Sequence, residues 1–270
     1  MSTPVPETVP DSAPEIVSTP VPETVPTPVP ETVPTPVPET VPTPVPETVA
    51  APVSVPVTAT EPNIMDTQSI LGENIVAIKF LKSKKNGFFV DLGVNDPIVF
   101  NNTVVLENNF SWNGLSFING NDGDSVPSIY SDHRHNSKFV IGNLGIMNFI
   151  PVFANNNVPK NVDYLSFNLN VSNETAMKAL PQFSSILNIY KFATISLKHD
   201  IFVGDLFNTR ESYRKLLTDA GYKLVFPDVS REELPQEDWF VFPALVDMNY
   251  VNGIAQTESM DYNAIIEMMP

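Results

Sequence analysis

The residues best placed to do chemistry lie in "GFFVDLGVNDPIVFNNTVVLE", residues 87 to 107. An apolar run, Phe88-Phe89-Val90, ends on Asp91 and Gly93. A turn follows through Val94, Asn95 and Asp96, and a helix-like stretch begins after Pro97. A strand that ends on an acid and a glycine and then turns into a helix can hold a ligand. The glycine allows close backbone approach, and the helix N-terminus offers unpaired N–H groups to an anion. Pro97 stands where a second glycine would be expected. It has no N–H and its ring fills space, so weaker ligand binding is expected. The same residues also make a good helix start, with Asp96 as N-cap and Pro97 at the first helical position.

A loop of this kind needs strands and helices to position it. Strands are predicted at 88–92, 115–118, 138–142, 162–168, 192–197, 222–226 and 239–243. Several are apolar on both parities, as in parallel strands covered on both faces. Three helices are predicted. One follows Pro97, with Val99, Thr103 and Leu106 on one side. A second starts after Asn173 and carries Ala176, Met177 and Leu180. The third is "NTRESYRKLLTDAGY", with Asn208 as cap, Glu211 three residues on, and Gly221 just past the end. The segment 143–160 shows no helix; "NFIPVF" reads as a short strand, and one layer there is expected to be thin or missing. Alternating strands and helices predict an α/β, doubly wound, mostly parallel sheet. Such sheets bind ligands beyond the carboxyl ends of their strands, near the switch point.

The chain has 270 residues and a net charge of −16. Residues 1–62 hold 18 of the 27 prolines and no Lys or Arg. The octapeptide "TPVPETVP" starts at Thr3, Thr19, Thr27 and Thr35. Proline at this density removes backbone donors and fixes φ, which predicts a disordered, polyproline-II-like tail. Its prolines could meet an aromatic groove on a protein partner. The expected division is this tail, a linker and lead-in segment at 63–85, a domain at 86–246 and a C-terminal extension at 247–270. The acidic balance argues against nonspecific nucleic-acid binding. "KSKK" at 82–85 reads as a solvated turn. Without cysteine there is no disulfide and no thiolate chemistry. No signal peptide or membrane span is evident, so a cytoplasmic location is expected. The many asparagines point to an AT-rich, fast-evolving genome of viral type.

The motifs, taken in order, resemble those of the FkbM family of S-adenosylmethionine-dependent methyltransferases. "FFVDLGVND" is similar to that family's first motif. "NNTVVLENNFSWNGLSFI", "VDYLSFNLN", "YKFATISLKHD", "RESYRKLLTDAGYKLVFPDV" and "EDWFVFP" resemble its later ones. The resemblance spans roughly 86–243 and rests on the order of six motifs. It implies a seven-stranded methyltransferase-like (Rossmann-like) sheet with the last strand antiparallel. It also implies methyl transfer from S-adenosylmethionine to a hydroxyl of a small-molecule or glycan acceptor. On this reading Asp91, Gly93, Val94, Asn95, Asp96 and Asn168 hold the cofactor, and His199 and Asp200 are the catalytic candidates.

Several positions depart from the family pattern. The acid expected at the end of the second strand falls at Ile118 or Asn119; Asp122 and Asp124 are nearby substitutes. Asn168 and Asn170 replace acids, followed by Val171, so no base or metal ligand is expected there. Lys198 replaces a glutamate beside a site for a cationic cofactor, a change of several kcal/mol at about 4 Å and an effective dielectric near 20. His199 is the remaining candidate base, although a lone histidine is more often structural. A domain with a degraded catalytic site is therefore expected, either weakly active or an inactive interaction module on a proline-rich stalk.

Overall fold

The computed structural model describes residues 69–120, 125–168, 173–199, 201–204 and 208–269. The repeat tail, Asp122, Asp124, Asn170, Val171 and Asp200 lie outside the described residues. Seven strands form one sheet: β1 Phe88–Leu92, β2 Asn113–Asn119, β3 Ser137–Gly142, β4 Asn161–Phe167, β5 Lys191–Lys198, β6 Lys223–Arg231 and β7 Leu234–Val241. Their spatial order is β3-β2-β1-β4-β5-β7-β6. All neighbours pair in parallel except β7, which runs antiparallel to both β5 and β6. This is the doubly wound, methyltransferase-like sheet. From β1 the chain winds to β2 and β3 on one side and to β4 and β5 on the other, so the switch point lies between β1 and β4.

The central strands are closed to solvent because helices cover both faces. Val90, Leu165 and Phe192 have no exposed surface. The helices are α1 Glu73–Phe80, α2 Val104–Phe110, α3 Ser125–His133, α4 Phe149–Asn155, α5 Asn173–Leu187, α6 Thr209–Asp219, α7 Met248–Ile254 and α8 Tyr262–Met268. One core cluster joins Phe117, Phe149, Phe153, Phe167, Phe183 and Tyr213. Part of the expected lead-in segment is α1, whose Ala77 and Ile78 pack with Phe89, Trp112 and Tyr164. In the C-terminal extension, Val251, Ile265 and Met269 pack with Val225, Val229 and Trp239. The lysines of "KSKK" are tied to the fold's own groups: Lys82 to Asp247, Lys84 to Asp163, and Lys85 over the Phe110 ring.

Three local expectations are corrected. First, the helix does not start at Pro97. Asp96 Oδ1 does accept from the backbone N–H groups of Ile98 and Val99, both at 2.8 Å. The turn then breaks at Phe100, whose φ of 54° is left-handed. Asn101 restarts it, its Oδ1 accepting from the N–H groups of Thr103 and Val104, and α2 follows. Second, "NFIPVF" is the helix α4. Asn148 caps it through Ile150 N–H, and Pro151 falls in the first turn, where no intrahelical N–H is required. Phe149 and Phe153, one helical turn apart, pack on Phe117 at 5.4 and 5.9 Å between ring centroids, so that layer is filled. Third, Asn208 precedes α6 with φ 51°, and its side chain caps nothing. The other end behaves as expected. Gly221 has φ 89°, its N–H reaches Thr218 O, and Tyr222 N–H reaches Leu217 O, both at 3.0 Å. This pairing terminates the helix as a Schellman motif.

Candidate functional site

The loop after β1 is shaped from behind by a buried ion pair. Arg134, just past α3, donates from Nε to Glu107 of α2 at 2.7 Å, and both side chains are almost entirely buried. The same guanidinium donates to the Pro97 carbonyl, to Asn101 Oδ1 and to Thr103 Oγ1. Thr103 in turn donates to Asp91 Oδ2 at 3.0 Å. Burial pushes the Asp91 carboxyl above the usual aspartate range. Arg134 and hydrogen bonds from Ser166, Thr103 and Asn101 oppose that shift. The turn itself needs Gly93, whose φ of 95° only glycine adopts freely. Gly93 N–H and Val94 N–H both donate to Phe117 O, pinning the turn to the end of β2. Asn168 N–H donates to Leu92 O at 2.9 Å, which ties the end of β4 to the same place.

These contacts bring the sequence-derived residues together. Asp91, Gly93, Val94, Asn95, Asp96 and Asn168 all line one open cavity. It lies at the carboxyl ends of β1 and β4, at the switch point. Ser166, Asn102, Phe100 and Lys198 line it too. Val94 contributes backbone, since its side chain is buried against Ile118 and Val126. Asp96 spends a carboxylate oxygen on the local turn. Ile118, where the sequence pattern looked for an acid, is fully buried. Gly93 brings backbone without a side chain to the cavity wall. Among the described residues that line the cavity, no carboxylate comes from the end of β2.

Lys198 is not an isolated reversal of charge. Its cross-strand partner on β7 is Glu237, which is buried. Glu73, the first residue of α1, comes in beside Glu237 and is also buried. Glu73 accepts from Leu71 N–H, and Glu237 from Trp239 Nε1, each at 2.9 Å. Burial, followed by the charge of Glu73, pushes the Glu237 carboxyl well above the usual glutamate range, against Trp239 and Lys198. Both glutamates line a smaller cavity of about 290 Å³, which shares Ile70, Phe100, Asn102, Asn168 and Lys198 with the larger one. Sequence reasoning missed this pair. No motif spacing links residue 73 to residue 237; the fold brings both to the wall of one cavity.

His199 is not among the residues lining either cavity. Its Nδ1 accepts from Ile201 N–H at 3.4 Å, and its other ring nitrogen is Nε2. That atom points between Asp228 and Asp238, at 3.5 and 3.6 Å. Those carboxylates are already held: Arg214 forks onto Asp238 with two bonds of 2.6 Å, and Arg210 and Arg214 meet Asp228 at 2.8 and 3.0 Å. His199, Asp228 and Asp238 are close enough to share a cation, but the guanidinium groups take that role. The assembly is a clamp joining the end of β5 to β6, β7 and α6.

No protein-family model matches the chain, and no curated protein matches it. Solved structures do. A candidate rRNA-methylase from Clostridium thermocellum is 15% identical, covers 65% of this chain and 96% of its own, and has a TM-score of 0.44. A protein of the NADB-Rossmann superfamily from Streptococcus agalactiae is 13% identical over 67% of this chain and 71% of its own, with a TM-score of 0.43. Fibrillarin of Aeropyrum pernix, solved with S-adenosyl-L-methionine bound, is 12% identical over 64% of this chain and 75% of its own, with a TM-score of 0.39. At these scores the likenesses carry no argument about this chain's chemistry.

Proposed function

We propose that the cavity at the switch point takes S-adenosylmethionine, and that the domain is an FkbM-like O-methyltransferase with a weakened site. The acceptor would be a hydroxyl of a small molecule or glycan. The observation that supports this most is convergence. Six residues chosen by motif resemblance, from the ends of β1 and β4, line one cavity. The bound cofactor would supply an electrophilic methyl group, and the protein's contribution would be chiefly positioning. Asp91, held by Thr103 and backed by Arg134, would face the cofactor's methionine end, with Gly93 giving the backbone clearance.

A second reading is an inactive interaction module, carried on the proline-rich tail and meeting a protein partner. The observations that favour it are Lys198 in the cavity wall and the apolar Ile118 at the end of β2. Calorimetric titration of S-adenosylmethionine into the full chain separates the two. Micromolar binding, weakened at least tenfold by Gly93→Val, supports the methyltransferase reading. No binding up to millimolar ligand would overturn it and leave the module.

A further inference from the structure

The wall between the two cavities carries an aromatic ring that the fold itself does not use. Phe100 lines both cavities and is 66% exposed. Among the described residues it joins none of the core clusters. Building on the reading of the larger cavity as a S-adenosylmethionine site, we propose that the smaller cavity and the Phe100 ring form the acceptor subsite. The acceptor is an aromatic hydroxyl compound whose ring lies on Phe100.

Three observations carry this. First, the ring is held in place. Phe100 has φ 54°, a left-handed backbone that a bulky side chain rarely adopts. The turn is fixed on both sides of it. Asp96 Oδ1 accepts from Ile98 and Val99 N–H, and Asn101 Nδ2 donates back to Asp96 O at 3.1 Å. The buried Arg134 donates to Pro97 O and Asn101 Oδ1. Such strain persists only where the surroundings over-determine it, and it collects at ligand sites. Glycine or asparagine would meet the backbone at less cost, so what phenylalanine adds here is its exposed ring. Second, the ring has apolar company. Ile70 and Val99 line the larger cavity and are 37% and 49% exposed; Ile70 and Leu71 line the smaller one. An apolar rim with a phenyl face suits a second aromatic ring. A sugar would need a polar partner for each hydroxyl it buries, and Asn102 already donates to Ser166 Oγ. Third, the position is right for transfer. Donor and acceptor must meet, and the smaller cavity shares Ile70, Phe100, Asn102, Asn168 and Lys198 with the larger. It extends to Gln236 and Glu237 of β7, so an acceptor in it lies beside the donor, on the side away from β2.

The departures at the rim of the sheet favour the same class of acceptor. Asn168 cannot take a proton, and His199 lines neither cavity. A phenol ionises at about 10, as the tyrosine side chain does, so it asks less of a base than a sugar hydroxyl. Glu73 and Glu237 line the smaller cavity but are almost fully buried, whereas Phe100 is the most exposed residue of that wall.

The test is an NMR titration of the full chain with β-naphthol as the aromatic hydroxyl probe and methyl glucoside as the sugar probe. S-adenosylmethionine is titrated separately. Naphthol should bind saturably and more tightly than the glucoside. Phe100→Ala should weaken naphthol about tenfold, the scale of one aromatic pair, and leave the affinity for S-adenosylmethionine unchanged. Phe100→Tyr should keep naphthol binding. Phe100→Gly separates binding from folding: glycine adopts φ 54° freely, so its denaturation midpoint should hold or rise while naphthol binding falls. A structural role for the ring would lower both. The inference is overturned if naphthol does not saturate, if the glucoside binds as tightly, or if Phe100→Ala weakens S-adenosylmethionine in place of naphthol. Each of those results leaves the cofactor reading to its own titration. Naphthol binding that depends on Phe100, with no binding of S-adenosylmethionine, overturns the cofactor reading and keeps the aromatic subsite.

Discussion

Glu237 and Asp238 are consecutive residues of β7, both buried, yet the protein treats them in opposite ways. Burial alone would push both carboxyls up. At Asp238 that push is outweighed by the forked bonds from Arg214 and by His199, and the carboxyl is held below the usual aspartate range. At Glu237 the neighbour is another acid, and the carboxyl is driven well above the glutamate range. Side chains alternate along a strand, so two adjacent positions meet different partners. The partner decides whether a buried acid is a fixed charge or a titrating one. A salt-bridged acid ties elements together, whereas an acid beside an acid responds to whatever charge arrives next.

The largest expected effect comes from breaking the Asp238 side. Arg214→Met removes the fork on Asp238 and one of the two arginines on Asp228. Removing one partner of a buried pair typically costs about 3–5 kcal/mol. Chemical denaturation of the full chain should show a loss of that order, and a loss below about 1 kcal/mol would mean that the clamp is not structural. The acid limb offers a second check. Because Asp238 is held low, its contribution is present above the ordinary aspartate range and is lost as pH falls through the lowered value. Asp238→Asn should flatten that limb.

This contrast also marks what was legible in the sequence. Strand apolarity on both parities predicted a parallel sheet because a strand covered on both faces has no polar side to show. The Gly93 turn was legible because a positive φ restricts the residue type. The start of α2 was misplaced because Asp96 and Pro97 do make a capped turn; Phe100 ends it, and nothing in a phenylalanine announces a left-handed backbone. The α4 helix was read as a strand because Pro151 among aromatics looks like a helix breaker, although a first-turn proline breaks nothing. His199 was offered as a base because motif order places it near the site, while the direction of its ring depends on Asp228 and Asp238, far along the chain. Arg134, Glu107 and the Glu73–Glu237 pair were invisible for the same reason: each is an isolated charge until the fold supplies its partner.

Glu237→Gln probes the other member of the contrast and should have a smaller effect. A carboxyl raised by folding contributes stability below the ordinary glutamate range and loses it as pH rises through the elevated value. The wild-type chain should therefore lose stability as pH rises from the ordinary glutamate range toward the elevated value, and the variant should lose less. Gln keeps an acceptor for Trp239 Nε1, so the difference should be about 1 kcal/mol, the scale of one hydrogen bond. If the two pH profiles coincide, Glu237 does not titrate in that range.

The smallest expected change in stability is at Lys198. Lys198→Gln removes the charge opposite Glu237, and cross-strand ion pairs are worth about 0.2–1 kcal/mol. Lys198→Glu goes further, placing a like charge opposite Glu237 and a third carboxyl near the pair. On the folding side it should be the worse variant by a few tenths of a kcal/mol, the cost of like charges directly opposed. On the binding side the order should reverse, because an added acid in the cavity wall favours a sulfonium. A substitution that weakens the fold yet tightens the cationic ligand would locate Lys198 at the junction of the two cavities. If stability and affinity instead fall together, Lys198 acts only through the β5–β7 pairing, and the contrast between Glu237 and Asp238 is one of packing alone.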